Sequence, residues 1–387
     1  MNIFNKPLKD VDLQDIQVLI DTKTEENLWL DYKRILNLKD ESSKNDLIND
    51  VAAFANTDGG HLIYGIEEQG ACPTVINGIE INNFDQLKRQ LQSLLISRVE
   101  PPITNCDFKQ ILVKDNKFIL IIRIPKSWNS PHRVSYRDST FYFRQSGKNE
   151  LMDVYQIKNS VLSSAYLLEK IKDFINDRIQ AITEGNDPVN ISKGPKVILH
   201  IIPTSPFGKD EKIDILSFYN DPQYIPPLSH GGTFNRFINL DGLVTTNIHN
   251  IYSYVQFFRN GTIEACDLIN HSTNKIPLKI GENIRIAVES YLKVYELLNV
   301  ASPLYISITL LDAKDYQLGV PEDSYEDQKR EIKKNHIFFS ILHEGEIPDT
   351  QKASKILKPL FDLFFNLFGL KDNLFYDGNG NWKFIQK

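Results

Sequence analysis

Residues 27–33, NLWLDYK, alternate in character, with Leu28, Leu30 and Tyr32 on one face and Trp29, Asp31 and Lys33 on the other. A period of two predicts a strand. The period then becomes helical: Leu47, Ile48, Val51, Phe54 and Ala55 recur three or four residues apart behind Ser42 or Ser43. Either serine can cap a helix running to about Asn56. Asp58-Gly59-Gly60 breaks that helix, and the apolar run HLIYGI predicts a buried strand ending at Glu67-Glu68. A short helix or lead-in is predicted over 10–22. An amphipathic helix is predicted over 83–97, through Phe84, Leu87, Leu91, Leu94 and Leu95. Strands are predicted over 105–113, 117–124 and 140–144. Lys114-Asp115-Asn116 joins the first two, and Pro125 closes the second because proline brings no ladder donor.

A helix over about 153–183 leads into EGNDPVNISKG, the best linker in the chain. The second half opens with the strand pattern KVILHIIP. YVQFFR and TIEACDL flank Asn260-Gly261, a strong short hairpin signal. A helix over 282–299, a strand over 303–311 and a helix over about 351–369 follow, with a charged loop or ragged helix over 318–335. Both halves read as α+β. The division expected is 1–150 (core 20–150), a connecting helix and linker over 151–190, and a second mixed domain over 191–387.

Composition changes little by itself. The chain has 387 residues, 41% hydrophobic and 24% charged, with a net charge of −6. These values suit folded domains rather than disorder. Cys72, Cys106 and Cys266 are far apart, which argues against a disulfide framework or zinc ribbon. No signal peptide or apolar run of membrane-spanning length is evident, so a cytoplasmic protein without membrane contact is expected. The distribution of charge is more informative. Residues 1–68 hold 7 Lys/Arg and 14 Asp/Glu, whereas residues 105–148 hold 9 Lys/Arg and 3 Asp/Glu interleaved with aromatic side chains. The alternative is that both runs are solvated surface.

Glu26, Asp31, Lys33 and Glu68 are the candidate catalytic residues. Asp31 and Lys33 share a strand face, Glu26 precedes that strand, and Glu68 ends the next core strand. Carboxylates crowded away from water require a cation. Oxygen ligands suit Mg²⁺ or Mn²⁺, so Glu26, Asp31 and Glu68 are candidate metal ligands. Such an ion can position a phosphodiester and activate water or a ribose hydroxyl, while Lys33 stabilises the phosphorane or orients the nucleophile. The plainer reading is a solvated pair, Asp31 with Lys33, and a polar turn at Glu67-Glu68. In the basic stretch, Arg123, Lys126, Arg133, Arg137, Arg144 and Lys148 can line a phosphate groove. Trp128 or Tyr136 can stack on an unpaired base, and His132 can contact phosphate or carry a proton. Surface placement is the plainer reading for each of these residues taken singly.

Residues 25–68 carry Glu26, Asp31-Tyr32-Lys33, Phe54-Ala55-Asn56-Thr57-Asp58-Gly59-Gly60 and Gly65-Ile66. They resemble the Schlafen-type AlbA-like domain, and FYFRQSGK, with Arg144 and Gly147, resembles its last block. The resemblance covers about residues 20–150. It implies an α/β-sandwich-type domain followed here by a second α+β domain. Some members cut tRNA and rRNA with three carboxylates, which by motif position fall on Glu26, Asp31 and Glu68. Asp31 is shorter, and Glu68 longer, than the usual residue at its position. Other members are described as DNA-binding, transcription-associated or ATP-binding, or lie near phage-defence systems.

The expectation is therefore a divalent-metal-dependent endoribonuclease acting on tRNA-like structured RNA, with phage defence as its setting. The alternative is a non-catalytic DNA- or RNA-binding regulator. A single lobe offers half of a two-lobed groove, which by analogy a homodimer could complete. No P-loop motif is present, which weakens a nucleotide-sensing reading. Asp377-Gly378-Asn379 reads as a turn rather than a calcium loop, and Ser229-His230-Gly231-Gly232 as a loop.

Overall fold

The computed structural model describes residues 4, 8–114, 116–136, 139–204, 207, 213–229, 233–248, 251–269, 273–298, 300, 303–319, 331–343 and 353–383. These residues form two compact units, 1–169 and 170–387, and the dividing line falls inside one long helix.

The first unit is built on a mixed sheet. Strand β1 (Leu30–Lys33) runs parallel to β2 (Gly60–Tyr64), which pairs antiparallel with β8 (Lys117–Ile124). β7 (Asp107–Lys114) and the short β5 (Ile79–Glu80) also pair with β8. β2 is buried at every position and β8 nearly so, as expected for strands covered on both faces. Ile63, Ile119 and Ile121 pack with Leu30 and Tyr32 against helix α1 (Leu13–Asp21), through Ile16 and Leu19. On the opposite face Leu62, Tyr64, Leu120, Ile122 and Ile124 meet helices α2 (Glu41–Asn56) and α3 (Phe84–Arg98). The strand expected over 27–33 is shorter, Leu30–Lys33, because Asn27 and Leu30 close a turn ahead of it; within the strand the expected alternation holds. The same pleat that buries Leu30 and Tyr32 against α1 turns Asp31 and Lys33 toward the α2 layer.

Asp40 caps α2 by accepting the Ser43 N–H, so the cap lies two to three residues ahead of the serines proposed from sequence. At the other end, Gly60 lies under the Phe54 ring. A Cβ there would sit 2.4 Å from the ring and 2.7 Å from the Trp29 carbonyl oxygen. The Gly-Gly segment therefore brings helix and strand into close contact. A second small sheet, ordered β11-β10-β9-β6, lies against α2. It comprises β6 (Val99–Glu100), β9 (Arg133–Val134), β10 (Thr140–Gln145) and β11 (Lys148–Leu151).

One expected strand is divided. Gly65, at φ +99°, ends the run HLIYGI in the core sheet. Residues Ile66–Gln69 become β3, which pairs with β4 (Cys72–Ile76) in a separate hairpin. Glu68 therefore stands on this hairpin rather than at the end of a core strand. A register shift between Glu67 and Glu68 marks a bulge there, a device that re-aims side chains.

Helix α4 (Val154–Glu184) carries the dividing line between the units. In the second unit the described residues form a seven-stranded antiparallel sheet, ordered β13-β14-β15-β16-β12-β18-β20. Its strands are β12 (Lys196–Pro203), β13 (Phe234–Ile238), β14 (Gly242–Asn247), β15 (Ser253–Phe258), β16 (Ile263–Leu268), β18 (Leu304–Leu311) and β20 (His336–His343). β15 and β16 are the hairpin expected at Asn260-Gly261. β17 (Lys275–Pro277) and β19 (Gln317–Gly319) pair in parallel. β19 occupies the start of the expected 318–335 loop, and residues 320–330 of that loop lie outside the described residues. Helices α5 (Lys279–Leu297) and α6 (Ala353–Leu367) share the main core with the sheet. Helix, sheet and fold class thus agree with the α+β reading. Among the described residues no helix is long and apolar enough to cross a membrane.

A fully buried carboxylate, Glu264, anchors this second sheet. It accepts from Arg178 through both oxygens at 2.8 and 2.9 Å, from Tyr254 at 2.9 Å, and contacts His200 at 3.1 Å. Burial alone would raise its pKa, but Arg178 and His200 overcome that and lower it to about 2. Because the folded value lies below the ordinary 4.5, its contribution to stability is complete above about pH 4.5 and lost as pH falls toward 2. Denaturation of the native chain and Glu264→Gln should therefore show a stability gap at pH 6 that closes as the pH approaches 2. In the first unit, Gly60→Ala should cost about 1–3 kcal/mol of stability in urea titrations, because the Trp29 carbonyl cannot swing aside.

Candidate nucleic-acid site

The site begins with the polar face of β1. Asp31 is 2% exposed, and burying a carboxylate this deeply requires partners. Lys33 Nζ lies 2.7 Å from its Oδ1, and Arg144 Nη1 donates to its Oδ2 at 2.6 Å. Arg144, on β10, is itself 2% exposed. It also donates to Asn149 Oδ1 and to the carbonyls of Asn27 and Leu30, and its guanidinium lies 4.4 Å over the Phe54 ring. Its backbone N–H donates to Thr57 Oγ1 at 2.8 Å. Asn56 reaches the same layer by donating to the carbonyls of His132 and Tyr142. The segment from Phe54 to Gly60 thus fastens the end of α2 to β9, β10 and the core sheet.

Glu26 stands beside this pair. Its Oε1 accepts the Tyr32 N–H at 2.9 Å, while its own N–H donates to the Ala71 carbonyl in the β3–β4 turn. That turn brings the hairpin back to β1. Asp31 and Glu68 both lie near enough to Glu26 to act on its proton. Burial, followed by the Asp31 charge, pushes the Glu26 pKa up to about 8, against the opposing pull of the Tyr32 N–H. Two of the sequence-predicted carboxylates, Asp31 and Glu68, thus lie near the third, Glu26. Among the described residues, no three His, Cys, Asp or Glu side chains stand in a metal-holding arrangement. Both Asp31 oxygens already face cations.

Lys33 connects this cluster to Asp50, whose Oδ2 is 3.7 Å from its ammonium. Burial works against the Lys33 charge, but Asp50 and Asp31 outweigh it and hold the ammonium pKa well up. Asp50 was not anticipated from sequence. It lies on the buried side of α2 among Leu47, Val51 and Phe54, and an acid inside that apolar spacing was the available signal. Asn149 was also missed. It donates to Asp50 Oδ1 at 2.5 Å and accepts from Arg144, so it couples the two acidic centres. Burial raises the Asp50 pKa to about 6; Lys33 opposes the rise and Asp31 adds to it. Lys33, Ile35, Asp50, Tyr64, Tyr142 and Asn149 belong to the wall of a cleft of about 440 Å³.

The basic stretch is not a row of free phosphate contacts. Arg144 is an internal counter-ion to Asp31, because the opposing charge of β1 draws it into the core. His132 is also interior, at 2% exposure. Its N–H donates to Asn56 Oδ1, and its Nδ1 is 2.6 Å from the Pro101 carbonyl oxygen. Burial lowers its pKa despite the Pro101 contact, so the ring is unsuited to a charged phosphate contact. Arg123 pairs with Asp107, Lys126 with Asp58, and Arg133 with Glu100. The positive run is thus largely matched by carboxylates from other parts of the unit. Trp128 is half-buried, and Lys148 is exposed on β11. Arg137 lies outside the described residues.

Residues 26–153 match the family described as "Schlafen, AlbA_2". This part of the chain is similar to the Schlafen AlbA_2 domain. The match begins at Glu26 and takes in β1, the α2 motif, the β3–β4 hairpin and β10, the elements that supply the cluster. The Schlafen AlbA_2 domain points to a nucleic-acid-related function. No curated protein matches the chain. Similar solved structures include the DIP2311 protein from Corynebacterium diphtheriae, 19% identical over 36% of this chain and 26% of that chain, with a TM-score of 0.25. Another is the N-terminal domain of a RecG-related protein from Nitrosomonas europaea, 17% identical over 37% of this chain and 94% of that domain, with a TM-score of 0.27. The chain thus spans about a quarter of the length of the Corynebacterium protein.

The geometry separates structural from superficial cations. Arg144→Ala should cost about 3–5 kcal/mol, since it leaves buried Asp31 short of a partner. Arg133→Ala should cost less than about 1 kcal/mol, because its pair with Glu100 is solvent-exposed. Urea denaturation of the two variants measures the contrast.

Proposed function

We propose that residues 26–153 act as a divalent-metal-dependent endoribonuclease on tRNA-like structured RNA. The observation that supports this reading is the nearness of Asp31 and Glu68 to Glu26, with Lys33 touching Asp31. The donor set is all oxygen, which suits Mg²⁺ or Mn²⁺ in kind. Glu26, Asp31 and Glu68 are the residues that would hold the ion, and they would have to close on it, since as they stand they form no metal-holding group. Bound there, it would polarise a phosphodiester and lower the pKa of an attacking water or ribose hydroxyl. Lys33, 36% exposed at its side chain, is placed to offset negative charge gathering on the phosphorane. Arg144 and Asn149 act through Asp31 and Asp50, keeping the carboxyl layer in place. Phage defence is the setting that the family resemblance suggests for such an activity.

A second reading, a non-catalytic DNA- or RNA-binding regulator, is favoured by one observation: both oxygens of Asp31 already face Lys33 and Arg144. Purified chain incubated with tRNA and Mg²⁺ or Mn²⁺ separates the two. The nuclease reading expects cleavage that falls by about 100-fold or more in Glu26→Gln and Glu68→Gln, with melting temperatures close to the native value. The regulator reading expects no cleavage and salt-sensitive binding that survives both changes. Cleavage left intact by both substitutions would remove these residues from the active site.

A further inference from the structure

The cleft on the other side of Lys33 holds a feature that neither the ion pairs nor the carboxyl cluster explains. Asp50 is 5% exposed, and its Oδ2 has no hydrogen-bond donor among the described residues. Its Oδ1 is taken by Asn149, and the nearest cation to Oδ2 is Lys33, at 3.7 Å. A buried carboxylate oxygen without a donor is costly. Asp50 lines the cleft, although Oδ2 itself is closed to solvent, so a donor on a bound molecule would reach it only as the side chain yields toward the cleft.

The rest of the wall narrows the kind of molecule. The volume, about 440 Å³, lies in the range of small-molecule sites. Tyr64 and Tyr142 supply aromatic surface, while Asn49 and Asn149 supply amides. Ile35 lies in the lining although 66% of its surface is open to solvent. A branched apolar side chain left so exposed beside polar groups suits the face of a flat ring. Aromatic and apolar walls with a few fixed polar groups are how proteins hold an unstacked base. Lys33 lines the cleft and also touches Asp31, so the cleft and the carboxyl cluster share a wall.

We infer that this cleft binds one unpaired nucleobase bearing an exocyclic amine, whose N–H donates to Asp50 Oδ2. This deepens the proposed function and rests on its nucleic-acid reading: the base would select which nucleotide lies beside Glu26, Asp31 and Glu68. Cytosine and uracil give the cleanest comparison, since both are pyrimidines of one size and differ at position 4 in amine against carbonyl.

The test is fluorescence anisotropy of the full chain with labelled oligocytidylate and oligouridylate hexamers at pH 7.5. EDTA is included so that no metal-dependent cleavage intervenes. The expected result is about tenfold tighter binding of the cytidine oligomer, the size of effect that one hydrogen bond to a charged acceptor gives. Asp50→Asn should abolish or reverse the preference, because the amide can offer a donor to the uracil carbonyl. As Asp50 also holds Asn149, Ile35→Ala provides an independent variant at an exposed position. It should weaken cytidine-oligomer binding severalfold without lowering the melting temperature. Equal affinity for the two oligomers, binding of neither, or a preference unchanged in Asp50→Asn would overturn the inference. A cleavage assay on the same preparation reads the nuclease proposal separately. Preference without cleavage keeps the base site and removes the nuclease, while cleavage without preference does the opposite.

Discussion

The first unit depends on a charge pair that it could not bury singly. Asp31 and Arg144 are each 2% exposed and meet at 2.6 Å. Removing either charge from water is expensive, and attraction repays that cost only when the remaining donors and acceptors are also used. Here they are. The guanidinium also reaches two backbone carbonyls, an asparagine and an aromatic face, while Lys33 approaches the free Asp31 oxygen. The pair therefore fixes β10 against β1 and the end of α2 in one arrangement. Displacing β10 would strand an ion rather than merely loosen an apolar contact.

That constraint shapes the chemistry around it. A carboxylate already neutralised by two cations can sit close to Glu26 and Glu68 without ejecting them. Burial, joined by the remaining repulsion from Asp31, favours Glu26 in its protonated form. Asn149 carries the connection onward to Asp50, so the two acidic centres are joined through one amide and one ammonium. The layer combines the rigidity of a core with a polar interior, and its solvent face opens at the cleft.

Much of this was visible in the chain and some could not be. The alternation of NLWLDYK placed Asp31 and Lys33 on one face because strand pleating is a local property. The apolar spacing of α2 and the Asn260-Gly261 turn were legible for the same reason. Arg144 and His132 were read as surface groups because what buries them lies far away in sequence: Arg144 meets Asp31 across 113 positions and His132 meets Asn56 across 76. No local pattern reports such a partner. Glu68 was expected at the end of a core strand, but Gly65 turns the chain out of the sheet and the β3–β4 hairpin carries it back toward Glu26. Asp50 lay in plain view as an acid among apolar positions, yet its role needed Asn149, which follows a turn with no signal of its own.

The separation of 113 residues has a temporal side. A polypeptide is made from its N-terminus, and domains fold as units when their last pieces appear. Glu26, Asp31 and Glu68 leave the ribosome long before β10 does. Until that strand docks, Asp31 lacks its main counter-charge and the carboxyl layer has no lid of cations to hold it together. An incomplete chain would therefore carry every acid of the cluster without the cluster itself. Assembly is deferred to the final strands of the domain, so a chain interrupted before them would be born without the site.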